Sequence, residues 1–160
     1  PVLQNRKLKY GYCFKELLYS NFIGSTSFVM LKTSVFFEVG LFNEEMQSSQ
    51  DYELWLRIAK TQKILGIDTP LVIYHVHDGD RISSSSQKKI EGLEMLNSIY
   101  WDEIKKDKRL LSRRLIILSP YYQIRDGYWK GVLHSIRSYL ICPFAWSHVK
   151  FVLKAIIGRS

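Results

Sequence analysis

Apolar residues recur along this chain with two periods, and the change from one to the other marks its elements. Tyr12, Phe14, Leu17 and Leu18 could line one side of a short helix ending near Ser20. Asn21-Phe22-Ile23-Gly24 breaks it. The apolar run Ser27–Lys32 then predicts a buried strand, with Gly24 and Ser25 as the turn before it. Thr33 caps a helix over Ser34–Val39, and Gly40 fits the left-handed position just past its end. Leu41 and Phe42 are expected to fold back onto the core. From Ser48 to Lys60, Tyr52, Trp55, Leu56 and Ala59 make an apolar stripe at helical spacing, with Ser48 or Ser49 as the cap. Ile64–Ile67 and Leu71–Val76 read as strands around the turn Asp68-Thr69-Pro70.

Beyond Gln87 the period is helical throughout. Ile90, Leu93, Leu96, Tyr100 and Ile104 form one stripe, and a second segment, Leu110–Leu118, stops at Pro120. A third helix over Tyr122–Leu140 carries Trp129, Val132, Leu133, Ile136 and Leu140 on one face. Pro143 interrupts, and Trp146–Ile157 makes the last. The pattern divides the chain into an α/β part, 1–86, and a helical extension, 87–160.

Charge sharpens that division. The chain of 160 residues is 46% hydrophobic and carries a formal net charge of +8. Lys and Arg balance Asp and Glu up to residue 108, so the whole surplus falls in 109–160, where Asp126 is the lone acid. This tail interleaves cations with Trp and Tyr, which suits a membrane leaflet of anionic lipid. A helical bundle with a solvated basic face stays open beside it, and nucleic acid more distantly. Cys13 and Cys142 match no zinc or redox spacing, as expected of reduced thiols in a cytosolic protein. No apolar run is long enough to span a bilayer, and no signal peptide is evident.

Three stretches carry candidate chemistry. Asp51 falls in the first turn of the Ser48–Lys60 helix, where free backbone N–H groups and the helix dipole hold a carboxylate ionised. Such a group can take a proton from an alcohol bound beside it; a plain helix cap is the simpler role. His75 and His77 share one face of the Leu71–Val76 strand end, a spacing that can bind a metal, with one solvent-exposed and one hydrogen-bonded imidazole as the simpler roles. The loop Asp78–Ser86 sets Arg81 among hydroxyls, including Ser83, and a guanidinium fork there suits a diphosphate; a plain surface loop is the alternative.

Taken together, Gly24-Ser25-Thr26-Ser27-Phe28-Val29-Met30-Leu31-Lys32, then Val39-Gly40-Leu41-Phe42-Asn43-Glu44, then Asp51-Tyr52-Glu53-Leu54-Trp55-Leu56-Arg57, then Tyr74-His75-Val76-His77 with Arg81-Ile82-Ser83, resemble the acceptor half of family 2 glycosyltransferases. The resemblance covers roughly Asn21–Ser86. It implies a partial GT-A fold, of the nucleotide-diphospho-sugar transferase kind, followed by the helical extension. It also implies transfer with inversion from a nucleotide-diphospho-sugar donor to a hydroxyl of a glycan or lipid-linked acceptor. Asp51 would be the general base, a divalent cation (Mg or Mn) the cofactor, and His77 a metal ligand. Glu44 would border the acceptor pocket, Gln50 stands where the family has a second carboxylate, and Arg81 and Ser83 would bind substrate. Asp78-Gly79-Asp80 follows the Asp51 region instead of preceding it and is not the family's nucleotide motif.

The donor-binding βαβ half has no counterpart in this sequence, which starts at Pro1, so the chain is expected to be a fragment that is inactive alone. The expected location is cytoplasmic, peripheral on the inner face of the membrane. A non-catalytic membrane-associated helper derived from a transferase fold is the alternative, and a basic nucleic-acid-binding module a more distant one.

Overall fold

A twelve-residue helix with an almost wholly buried middle organises the first part of the chain. The structure, a computed structural model, describes residues 9–73 and 86–143. These form two packing units, 9–45 with 49–73 and 46–48 with 86–143.

In the first unit, β1 (Tyr10–Gly11) pairs antiparallel with β2 (Ile64–Leu65), Tyr10 opposite Leu65. Between them lie α1 (Phe14–Tyr19), a 3₁₀ turn (Thr26–Phe28), α2 (Ser34–Val39) and α3 (Gln50–Thr61). Tyr52, Leu54, Trp55, Leu56, Ile58 and Ala59 of α3 are buried, and Leu17 and Leu18 of α1 are fully covered. The polar tips of α3 then tie down its neighbours. The Tyr52 hydroxyl donates to the Leu17 carbonyl at 2.7 Å, and Trp55 Nε1 donates to the Gly24 carbonyl at 3.2 Å. These bonds let two large aromatic residues be buried without stranding a donor.

Three expectations change here. Ser27–Lys32 forms no ladder with any described strand: it opens as the 3₁₀ turn, and Val29 then runs extended at φ −119° and ψ 133°. An extended segment becomes a strand only when a neighbour takes its backbone hydrogen bonds. Leu41 and Phe42 are exposed rather than folded back, because the backbone there is held through its carbonyls. Leu71–Ile73 has no regular structure, and the rest of that expected strand lies outside the described residues.

The second unit is helical, with α4 (Ser86–Ile99), α5 (Trp101–Ile104), α6 (Lys108–Asp126) and α7 (Tyr128–Ile141). Asp107 caps α6, its carboxylate accepting from the N–H groups of Arg109 and Leu110. Ile90, Leu96, Tyr100 and Ile104 are buried as their stripe requires. Helix α6 does not stop at Pro120 but continues to Asp126. Ser112 before the proline and Ser119 beside it are both fixed to α7, and that tertiary packing overrides a local break. The chain turns instead at Gly127, whose φ of 98° suits glycine. The third helix is therefore two elements, and Trp129, Leu133, Ile136 and Leu140 lie exposed.

A polar network joins α4 to the α6–α7 turn. Glu94 accepts from the Tyr122 hydroxyl at 2.6 Å and from Arg125 at 3.0 and 3.1 Å. Arg125 also pairs with Asp126, which takes Lys130 at 3.1 Å. Burial and the neighbouring Glu94 push the Tyr122 hydroxyl up to about 12, and its ring stacks on His134 at 4.1 Å between centroids.

Candidate functional site

Asp51 is the second residue of α3 and half-buried. Its Oδ1 accepts the Tyr52 backbone N–H at 2.7 Å. Burial raises its carboxyl above the ordinary 3.8, against the opposing pull of the Tyr52 and Asp51 N–H groups. Exposed at a helix start, the same carboxylate would be held below its ordinary value. Partial dehydration wins, and the result is a stronger proton acceptor than a surface aspartate.

The serines do not cap the helix as expected. Ser49 occupies the cap position at φ 62°, with no side-chain cap bond. Ser48 instead donates from its hydroxyl to the Lys88 carbonyl of α4 at 2.7 Å. The loop Met46–Ser48 sits down on α4 with Met46 buried, and Gly92 makes room for it. A Cβ at Gly92 would lie 2.4 Å from Ser48 Oγ and 2.5 Å from the Ser48 carbonyl oxygen. Gly92→Ala is therefore expected to cost about 2 kcal/mol by forcing that backbone off α4. Urea unfolding of the variant checks this, and a loss below about 0.5 kcal/mol would mean the loop yields freely.

Behind Asp51, Glu53 and Arg57 orient the helix. Arg57 Nε donates to both Glu53 oxygens at 2.8 and 2.9 Å. Its two terminal nitrogens donate to the carbonyls of Val39 and Leu41, the latter at 2.5 Å. One guanidinium thereby grips the end of α2 and the loop that follows. Gly40 sits between those carbonyls at φ 82°, where a Cβ would also lie 3.2 Å from Arg57. The positive φ is what favours glycine there, and a side chain would in addition press on the Arg57 guanidinium.

Gln50 opens α3 beside Asp51 and is half-buried. Glu44 is exposed in the turn closed by Asn43, whose side chain accepts the Glu45 N–H at 3.0 Å. His77, Arg81 and Ser83 lie outside the described residues, as do His75 and the Asp78-Gly79-Asp80 stretch. Among the described residues no cluster of His, Cys, Asp and Glu could hold a metal ion. An open pocket lined by Tyr12, Phe14, Lys15, Glu16, Ala59 and Lys60 lies at the far end of α3 from Asp51. Sequence reasoning missed the seat at Gly92, for which a glycine inside a helical stripe is the available signal.

The chain is similar to a Rickettsia felis protein named uncharacterized glycosyltransferase, at 26% identity over 147 residues. The match covers 80% of this chain and 23% of that protein, so the chain spans about a quarter of its relative's length. No family model matches the sequence, and no solved structure matches it.

Proposed function

We propose that this chain is the acceptor-side half of an inverting glycosyltransferase of the GT-A fold, with Asp51 as its general base. The observation that carries the reading is the half-buried carboxylate in the first turn of α3, raised above its ordinary value by burial. A base of that kind is matched to deprotonating a hydroxyl. The likeness to a much longer protein named a glycosyltransferase supports it. So does the apolar area the first unit leaves open: Met30 is 99% and Phe37 87% exposed, surface that a covering donor-binding half would bury.

In the proposed step Asp51 takes the proton of an acceptor hydroxyl on a glycan or lipid-linked sugar. The freed oxygen bonds to the anomeric carbon as the bond from that carbon to the nucleoside diphosphate breaks on the opposite side. The configuration inverts, and the diphosphate leaves with the bonding pair. Gln50 and Glu44 belong to the acceptor side in this reading, and Arg81 and Ser83 to the diphosphate. The divalent cation that the resemblance implies finds no ligand cluster among the described residues.

The purified chain is expected to release no nucleoside diphosphate from a panel of uridine, guanosine and thymidine diphospho-sugars, with or without sugar acceptors. A protein carrying the chain together with a donor-binding half is expected to release it. Turnover by the chain alone would overturn the half-domain reading.

A further inference from the structure

The α6–α7 hairpin is built inside out. Gly131, Ser135 and Ser138 of α7 recur at i, i+4 and i+7, and all are buried. Ser112 and Ser119 of α6 are equally covered. Ser112 and Ser138 each donate a hydroxyl to the other's carbonyl at 2.7 Å. Ser119 donates to the Gly131 carbonyl at 2.9 Å. A Cβ at Gly131 would lie 2.6 Å from the Ser119 carbonyl oxygen, so the backbones approach as closely as glycine permits. Helices pair through small residues and hydroxyls where burying large apolar side chains against each other brings no advantage, as beside lipid.

The large apolar side chains of α7 take the other side. Trp129, Leu133, Ile136 and Leu140 are 78%, 46%, 42% and 72% exposed. They recur at i, i+4, i+7 and i+11, about 160° round the helix from the serine face. Arg137 and Lys130 flank this stripe on one side. The sequence that follows α7 adds Trp146, Lys150, Lys154 and Arg159, with no acid after Asp126. A basic flank beside an apolar stripe, with Asp126 on Lys130 as its one acid, complements a surface that offers both phosphates and acyl chains. Nucleic acid would satisfy the cations and leave Leu133, Ile136 and Leu140 in water.

We propose that the outer face of α7 is a docking surface for a membrane of anionic lipid, lying in the plane of the interface. At fourteen residues α7 is too short to span a bilayer. Among the described residues no helix is long and apolar enough to cross a membrane. The inference stands apart from the glycosyl-transfer reading.

The test is sedimentation of the full chain with phosphatidylcholine vesicles, with and without about one third phosphatidylglycerol. Binding is expected to be at least about tenfold stronger to the anionic vesicles, with tryptophan emission shifting to the blue. The double variant Leu133→Glu/Leu140→Glu is expected to lower that binding at least about tenfold with its thermal midpoint unchanged, since both side chains point away from α6. Arg137→Gln is expected to weaken binding to anionic vesicles alone. Equal binding to both vesicle types, equal binding by the double variant, or no binding at all would overturn the proposal. So would a wild-type dimer that the double variant dissolves, because a second copy would then be the occupant.

Discussion

Asp51→Asn is expected to lower kcat at least about a hundredfold in the proposed transferase, with the donor KM unchanged and the fold no less stable. The two halves of that result come from one cause. Burial raises the Asp51 carboxyl above 3.8, so the folded state holds the proton more tightly than the unfolded chain does. The stability linked to the neutral form is present below the ordinary carboxylate value and is lost as pH rises through the raised one. At neutral pH the ionised carboxylate therefore costs stability, and asparagine, neutral at every pH, escapes that cost.

A carboxylate serving only as a helix cap would behave the opposite way, its loss destabilising the fold. The paired measurement is kcat in the longer protein and the thermal midpoint of the chain at neutral pH. Activity within about threefold of wild type would remove Asp51 from the reaction. In the active protein the acid limb of kcat/KM should also lie above the ordinary carboxylate range, because the rate follows the ionised form.

Arg57→Ala should produce the largest loss of stability, about 3 kcal/mol. Glu53 is buried, with only 4% of its side chain exposed against 26% for Arg57. Removing the guanidinium takes away the forked partner of that carboxylate together with the grip on Val39 and Leu41. An exposed pair at the same helical spacing would be worth only about 0.5 kcal/mol, so the size of the effect separates the two cases. Arg57→Lys should recover a minor part, since an ammonium group cannot span a carboxylate and two carbonyls at once. Urea unfolding with an unchanged slope is the readout, and a loss under about 1 kcal/mol would make the contact a surface pair.

Much of the local structure was legible in the residues. Helix α2 runs over Ser34–Val39, the expected bounds, although Thr33 makes no side-chain cap bond and Gly40, at φ 82° and ψ 175°, is not in the left-handed helical position. Each of Tyr52, Trp55, Leu56 and Ala59 faces inward from α3 as the period requires. The placement of Asp51 in the first turn of α3 was equally readable. Its raised carboxyl was not, because dehydration is a property of what surrounds a side chain. Ser48 was legible as a capping residue, and its hydroxyl is committed to Lys88, forty residues away. The extended run after Phe28 was readable as extended, but a ladder needs a partner that the run itself does not contain.

Helix α7 marks the boundary most plainly. Its residues hold two stripes of the same period, one of glycine and serine and one of tryptophan, leucine and isoleucine. The sequence by itself determined that both stripes exist, because periodicity acts within a few positions; it did not determine where α6 ends, since that helix runs through Pro120 and the chain turns at Gly127. Only the tertiary structure decided which stripe is buried and which polar groups are spent on distant partners. The serines went inside because Ser112 and Ser119 on another helix complete their hydrogen bonds. A pairing across the fold cannot be read from either strip of chain alone.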